Sequence, residues 1–140
     1  ACIAGCSKED IEAAREAGLH LVAIVPPNAS DERVARIAGL TSGYTYLLSR
    51  VGITGTDHAS GTPAERIIRD LERAKAPPTL LGFGISTPEH VRRALEAGAA
   101  GVIVGSALVK IVSEHLGDRD AMLKALGSAT APFKATTRTA

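Results

Sequence analysis

Two glycine-containing segments are the part of this sequence best suited to chemistry. Gly82-Phe83-Gly84-Ile85-Ser86 follows a short apolar run, and Gly105-Ser106-Ala107 follows the next one. A glycine leaves no Cβ between its backbone N–H and a bulky anion. A helix opening at the second segment adds unpaired N–H groups and the positive end of its dipole, and the Ser106 hydroxyl is a further donor. The two segments predict a phosphate site rather than only two tight turns.

Two tyrosines and a long loop are further candidates for contact with a ligand. Tyr44 and Tyr46 alternate along one apolar run, so they are expected on the same side of a strand. They either face a substrate or pack their rings in the core. The segment 50–61 is long and rich in Gly and Thr, which is typical of a mobile lid, with a disordered linker as the alternative.

The sequence offers no metal site and no histidine cluster. Cys2 and Cys6 form a C-x3-C pair without a neighbouring His or further Cys, so we expect two reduced thiols. The four histidines are spread along the chain and do not cluster; they are His20, His58, His90 and His115. We therefore expect no metal and no cofactor in this chain.

The elements that must position these residues alternate along the chain. Short apolar strands are predicted at 19–25, 44–48, 79–81 and 101–104. Helices are predicted to begin at capping residues; these are Ser7, Ser30, Thr62 and Thr87. Two more helices are expected at 107–116 and from about Asp118, with a frayed tail after Pro132. Strands that are each followed by a helix predict a parallel sheet in one α/β domain covering residues 1–140.

Composition narrows the class of protein. The 140 residues carry a net charge of +1, with 45% hydrophobic and 22% charged residues. This balance gives no bulk attraction for nucleic acid, and no apolar run is long enough to span a membrane. A start without a basic segment and an apolar stretch predicts no signal peptide and a cytoplasmic protein.

Several motifs resemble one family, the tryptophan synthase α chain, in order and spacing from about Glu12 onward. They are Pro26-Pro27-Asn28-Ala29, Gly43-Tyr44-Thr45-Tyr46-Leu47-Leu48-Ser49-Arg50, Gly52-Ile53-Thr54-Gly55, Gly82-Phe83-Gly84-Ile85-Ser86 and Gly101-Val102-Ile103-Val104-Gly105-Ser106-Ala107. The Tyr-Leu-Leu-Ser-Arg block and the loop after it are specific to this family. The two glycine motifs alone are common to many phosphate-binding barrels.

The resemblance implies a fold and an activity. The fold is the C-terminal half of a TIM (β/α)₈ barrel, with strands resembling the fifth to eighth. The activity is a lyase step of tryptophan biosynthesis, cleavage of indole-3-glycerol phosphate to indole and glyceraldehyde 3-phosphate. The family's α chain works in an α₂β₂ heterotetramer, where the partner β chain holds pyridoxal phosphate.

The resemblance also implies roles for individual residues. Gly82, Gly84, Gly105 and Ser106 would hold the substrate phosphate. Tyr46 would line the substrate pocket and Phe83 would pack against the indole. Thr54 and Gly55 would belong to the mobile lid.

A complete barrel of this kind takes about 250 residues, so this sequence supplies only part of one. The resemblance implies that the family's catalytic Glu and Asp come from the other half of the barrel. No acidic residue here matches either motif, and Ala1 to Cys6 do not resemble the end of the family's fourth strand. We therefore expect no catalytic residue in this chain and no activity from it alone. Two alternatives remain: another phosphate-binding barrel, such as indole-glycerol-phosphate synthase or ribulose-phosphate epimerase, and a non-catalytic half-barrel that associates with itself.

Overall fold

The computed structural model describes residues 7–48 and 62–138. Within these ranges the chain forms four strands and six helices in regular alternation. The strands are β1 (Ile24–Val25), β2 (Thr45–Leu48), β3 (Thr79–Gly82) and β4 (Gly101–Ile103). The helices are α1 (Lys8–Glu16), α2 (Asp31–Leu40), α3 (Pro63–Arg73), α4 (Pro88–Glu96), α5 (Ser106–Glu114) and α6 (Arg119–Thr136).

The four strands form one parallel sheet in the order β1-β2-β3-β4. Tyr46 pairs with Ile24 on one side and with Leu80 on the other, and Leu80 pairs in turn with Gly101. Parallel strands joined in sequence order by helices place all their carboxyl ends at the same edge of the sheet. The predicted α/β class and parallel sheet are confirmed.

Capping residues start the helices where the sequence predicted them. Ser7 with Asp10, and Thr62 with Glu65, form complete capping boxes in which each side chain bonds the other residue's backbone N–H. Ser30 caps α2 and Thr87 caps α4; each side chain accepts a hydrogen bond from the backbone N–H three residues later. Each such bond satisfies one of the N–H groups that a helix start leaves without an intrahelical partner.

The hydrophobic core lies between one face of the sheet and helices α2, α3 and α4. Val25, Leu47 and Leu81 stand side by side across three strands and are completely buried. The helices cover them with aliphatic side chains that are also buried; these are Val34, Ile37, Ile67, Ile68, Leu71, Val91 and Ala94. The core of the described chain is therefore entirely aliphatic, in keeping with a sequence in which aromatic residues make up only 3%.

The opposite face of the sheet carries a second set of apolar side chains, each partly exposed. They are Ile24, Tyr46, Leu48, Leu80 and Ile103. We name this set the inner face, because it corresponds to the side that faces the centre of a closed barrel. Leu47 belongs to the buried face, since it alternates with Tyr46 and Leu48.

Two predicted element boundaries are wrong. The first strand is predicted to begin at Leu19, but β1 begins at Ile24. The Leu21 N–H donates to the Ser42 hydroxyl and its carbonyl accepts the Ser42 N–H, so Leu21 is not part of the strand pairing. The last helix does not fray at Pro132 but continues to Thr136, where Phe133 packs against the core.

Candidate functional site

The two glycine segments leave neighbouring strands at paired positions. Gly82, the last residue of β3, pairs with Ile103, the last residue of β4. Gly84 and Gly105 each lie two residues beyond this pair, at the carboxyl edge of the sheet. Ligands of parallel α/β sheets bind at this edge. The structure therefore brings the two predicted parts of the phosphate site to adjacent strand ends.

The turn after β3 has a backbone that L-residues rarely adopt. Phe83 has φ +84° and Gly84 has φ +80°. Glycine adopts such angles without penalty, whereas Phe83 is strained there and has a side chain that is 55% exposed. Two successive residues with positive φ turn the chain sharply, and the aromatic ring stays at the surface beside the strand ends.

Tyr46 packs its ring over Gly82, which is a reason for this glycine that the sequence did not reveal. A Cβ added to Gly82 would lie 2.6 Å from Tyr46 Cζ and closer still to Cε2. A side chain at position 82 would therefore displace the tyrosine ring. Tyr46 lies on the inner face and reaches along it to the last residue of β3. Tyr46, the predicted pocket residue, is thus in direct contact with Gly82, the first predicted phosphate glycine. Tyr44 precedes β2 and is exposed.

The N-terminus of α5 differs from those of the other described helices. Its N-cap is Gly105, which provides no side-chain hydrogen bond, and its first turn holds no acidic residue. Each of the other five described helices has a side-chain cap and an acidic residue in the first turn. The positive end of the α5 dipole is therefore not compensated within the described chain.

Four backbone N–H groups at these strand ends have no hydrogen-bond partner in the described ranges. They belong to Gly84, Ile85, Ser106 and Ala107. A Cβ added at Gly105 would meet no atom within 4 Å, so open space lies before the start of the helix. Unpaired donors at a helix N-terminus, with room in front of them, are the usual features of an anion site.

His90 fixes the last residue of the first glycine segment. Its Nδ1 accepts the Ser86 backbone N–H at 3.3 Å and lies 3.5 Å from the Ser86 hydroxyl oxygen. In the sequence His90 belongs to no histidine cluster and carries no predicted role. The signal that was missed is its spacing, because a side chain in the first turn of a helix can reach back to the residue before the cap. Ser86 therefore offers its N–H to His90 and not to a ligand.

One described carboxylate, that of Glu89, follows the first glycine segment closely along the chain. Glu89, at the start of α4, accepts hydrogen bonds from Arg92 and Arg93, and these bonds hold the pKa of its carboxyl below the usual value. It is thus a charged, engaged carboxylate on the helix surface rather than a proton donor. No group of metal-binding side chains occurs in the described part of the chain.

Some predicted residues cannot be placed. Thr54, Gly55 and His58 lie outside the described residues, as do Cys2 and Cys6. Within the described ranges no helix is long and apolar enough to cross a membrane.

Comparison with known proteins identifies relatives along almost the whole chain. The family model for the tryptophan synthase alpha chain matches residues 6–138. The tryptophan synthase alpha chain of Vibrio vulnificus strain YJ016 is 48% identical over 132 residues, covering 94% of this chain and 49% of that protein. The alpha chain of Shewanella oneidensis is 49% identical over 127 residues, covering 91% of this chain and 46% of that protein.

Solved structures give the same result for the fold. The tryptophan synthase a2b2 complex of Pyrococcus furiosus contains a chain that superposes with a TM-score of 0.73 and 38% identity, covering 91% of this chain and 50% of that one. The described sheet and helices therefore correspond to half of a TIM barrel. The chain spans about half the length of the curated relatives it matches. It belongs to the tryptophan synthase alpha chain family.

Proposed function

We propose that this chain provides the phosphate-binding part of a lyase that cleaves indole-3-glycerol phosphate to indole and glyceraldehyde 3-phosphate. Gly82, Gly84, Gly105 and Ser106 surround the phosphate. The observation that carries the proposal is the uncapped start of α5, where the Ser106 and Ala107 N–H groups lie unpaired beside those of Gly84 and Ile85. A dianionic phosphate accepts several such hydrogen bonds and compensates the helix dipole without any Lys or Arg.

Two aromatic residues contact the part of the substrate beyond its phosphate. Tyr46 lies on the inner face against Gly82, so its ring forms a wall between the strand ends and the barrel centre. Phe83 presents an exposed ring one residue further, and an indole is the part of the substrate that gains from stacking on an aromatic side chain. The family resemblance assigns Thr54 and Gly55, which lie outside the described residues, to a lid loop.

The partner follows from the same family membership. We infer that residues 1–140 act as a single partial-barrel domain in the cytoplasm, within a complex with a tryptophan synthase β chain. The Pyrococcus furiosus relative, which is described as an a2b2 complex, supports such a partner. Pyridoxal phosphate belongs to the β chain and has no role in the chemistry of this one.

Catalysis needs residues that we expect outside the described part of this chain. Cleavage requires a general acid and base, and such groups contribute about 10²–10⁴-fold to a rate. The strand ends in the described ranges carry glycine, proline, phenylalanine and asparagine but no carboxylate. We predict that the 140-residue chain releases no indole from indole-3-glycerol phosphate in a colorimetric assay. Indole production above the buffer rate would assign the acid to a residue of this chain, with Asp57 as the first to substitute.

Chemical-shift mapping with glycerol phosphate tests the phosphate site itself. We expect the amide resonances of Gly84, Ile85, Ser106 and Ala107 to move together along one saturable curve. Gly39 and Gly117, which lie away from the strand ends, serve as internal controls and should stay in place. The site would be rejected if the amide resonances at the starts of the capped helices shifted instead, or if no resonance shifted in a saturable way.

A further inference from the structure

The helix that follows the first glycine segment begins differently from the helices that have capping boxes. In α1 and α3 the third helical residue is acidic, and its carboxylate accepts the N–H of the capping residue. The third residue of α4 is His90, whose N–H donates to the Thr87 hydroxyl at 3.2 Å. Its imidazole reaches one residue further back, where Nδ1 accepts the Ser86 N–H at 3.3 Å. A ring nitrogen thus acts where the capping boxes use a carboxylate.

The backbone contact of Nδ1 defines the tautomer of His90. The Ser86 N–H can only donate, so Nδ1 presents its lone pair and the proton of the neutral ring is on Nε2. His115 is the opposite case, because its Nδ1 lies 2.9 Å from the Ile111 carbonyl oxygen, which can only accept. A neutral His115 therefore carries its ring proton on Nδ1. The two imidazoles of one chain should be found as different tautomers.

The hydrogen bond from Ser86 to His90 fixes one end of the turn that contains the anion-binding amides. The other end is fixed by Gly82, which pairs within the sheet. The side chain of Ile85 is buried in the core, so the chain is also held inside the turn. With the Ser86 N–H engaged, the N–H groups of Gly84 and Ile85 have no partner among the described residues. The turn is thus held in the form that leaves these two donors to a ligand.

The charge of the group at position 90 matters because an anion is expected nearby. A carboxylate there could accept the same N–H, but it would repel a phosphate dianion. Glu89 precedes His90 and carries a charge, which hydrogen bonds from Arg92 and Arg93 compensate. The start of α4 therefore holds the Ser86 N–H with a neutral acceptor and directs its one carboxylate to two arginines.

We propose that His90 is a positioning residue of the phosphate site. Its neutral imidazole holds the Ser86 N–H and so keeps the Gly84 and Ile85 amides oriented for the anion, without placing a negative charge beside it. The inference rests on the proposed function, because it assigns an orienting role at the same site. His90 acts through the backbone and does not touch the phosphate. Affinity for phosphate then depends on two properties of position 90: an acceptor at the place of Nδ1, and no charge.

Three substitutions separate the hydrogen bond from the charge. His90→Asn puts a neutral oxygen as many bonds from the backbone as Nδ1 is, so the Kd for glycerol phosphate should stay within about two-fold. His90→Asp puts a charged oxygen at the same place and should weaken binding about ten-fold at low salt, a difference that shrinks at high salt. His90→Leu removes the acceptor and should weaken binding about three-fold or more at any salt concentration.

The aspartate variant distinguishes positioning from a merely structural role. An acidic residue in the first turn favours a helix, so a structural role alone would leave His90→Asp stable and binding normally. His115→Leu is the matched control, since it removes a histidine–backbone contact at the opposite end of α5 and should bind like the unmodified chain. Calorimetric titration of the 140-residue proteins gives the Kd values, and circular dichroism shows that each variant is folded. Nitrogen NMR at about pH 8, where an ordinary imidazole is neutral, should find the His90 proton on Nε2 and the His115 proton on Nδ1.

The possible failures are distinguishable. Equal affinity of His90→Leu and the unmodified chain, or a His90 proton on Nδ1, would overturn the positioning role and leave the phosphate site in place. If His90→Leu does not fold, equal affinity of His90→Asn and His90→Asp at low salt would overturn the role of the neutral acceptor. No saturable binding of glycerol phosphate to the unmodified chain would reject the proposed function, and the inference with it.

Discussion

Phe83 and Lys75 are the non-glycine residues with positive φ in the described chain. Lys75 follows the end of α3, where its N–H bonds the Glu72 carbonyl and the next N–H bonds that of Leu71. This pattern is a common helix termination that requires positive φ. Phe83 has no such explanation, since it follows a strand and precedes Gly84. Strain of about 1–3 kcal/mol at such a residue is most often found at functional sites.

The strain at Phe83 predicts an inverted order of stability for two substitutions. At ordinary φ a glycine is less stable than an alanine by roughly 0.5–1 kcal/mol. At Phe83 the left-handed conformation penalises alanine, so Phe83→Gly should be more stable than Phe83→Ala by about 1 kcal/mol. Urea denaturation of both variants measures the difference. The same pair at Lys110, within the exposed surface of α5, is the control and should show the ordinary order. Alanine favoured at both positions would remove the strain from position 83.

Gly82 shows how much of the site could be predicted at the residue scale. Its position after an apolar run indicated a close approach of backbone to ligand. The contact with the Tyr46 ring could not be predicted, because it depends on the register of β2 against β3. The same limit applies to Ser86 and His90, whose hydrogen bond depends on the path of the chain into α4.

Arg66 joins two helices beside the carboxyl end of β1. Its guanidinium donates to Asp31 at 3.0 Å, to Asp70 at 3.2 Å and to the Ala29 carbonyl at 3.0 Å. Asp31 begins α2, whereas Arg66 and Asp70 lie on α3. The guanidinium thus fixes the start of one helix against the side of the next, and it fixes the Pro-Pro-Asn-Ala segment that leaves the sheet.

Replacement of Arg66 by lysine should lower stability by about 1 kcal/mol, because an ammonium cannot reach acceptors in three directions with the planar geometry of a guanidinium. Arg73→Lys is the matched control, because among the described residues Arg73 pairs with the Asp70 carboxylate alone, at 3.5 Å, and its side chain is 79% exposed. Exposed single pairs contribute little, so this change should stay within about 0.5 kcal/mol. Equal effects of the two substitutions in thermal unfolding would contradict the bridging role.

Helix starts were predictable because their signals are local. Ser7 and Asp10, or Thr62 and Glu65, lie three residues apart and bond within one turn. The limits of β1 and α6 depend instead on partners distant in sequence. Ser42 interrupts the ladder beside Leu21, and the packing of Phe133 keeps the helix intact beyond Pro132.

At the scale of the whole molecule, alternation predicted which residues share a face but not which face the helices cover. Leu47 illustrates this, since the same pattern would suit either orientation of β2. Periodicity predicts parallel βα units, which occur both in open sheets and in barrels. The family resemblance was needed to predict the barrel. The match over residues 6–138 and the half-barrel superposition confirm it.

A calorimetric titration of glycerol phosphate into three proteins tests the central claim most directly. They are the unmodified chain, Gly105→Val and Gly117→Val; neither glycine has an atom within 4 Å of an added Cβ, so both variants should fold. We predict saturable binding to the unmodified chain and to Gly117→Val with the same Kd. Gly105→Val should bind at least about ten-fold more weakly, a loss of about 1.4 kcal/mol, because its branched side chain fills the space before α5. Equal affinity of all three proteins, or no binding to the unmodified chain, would contradict the assignment of the phosphate site.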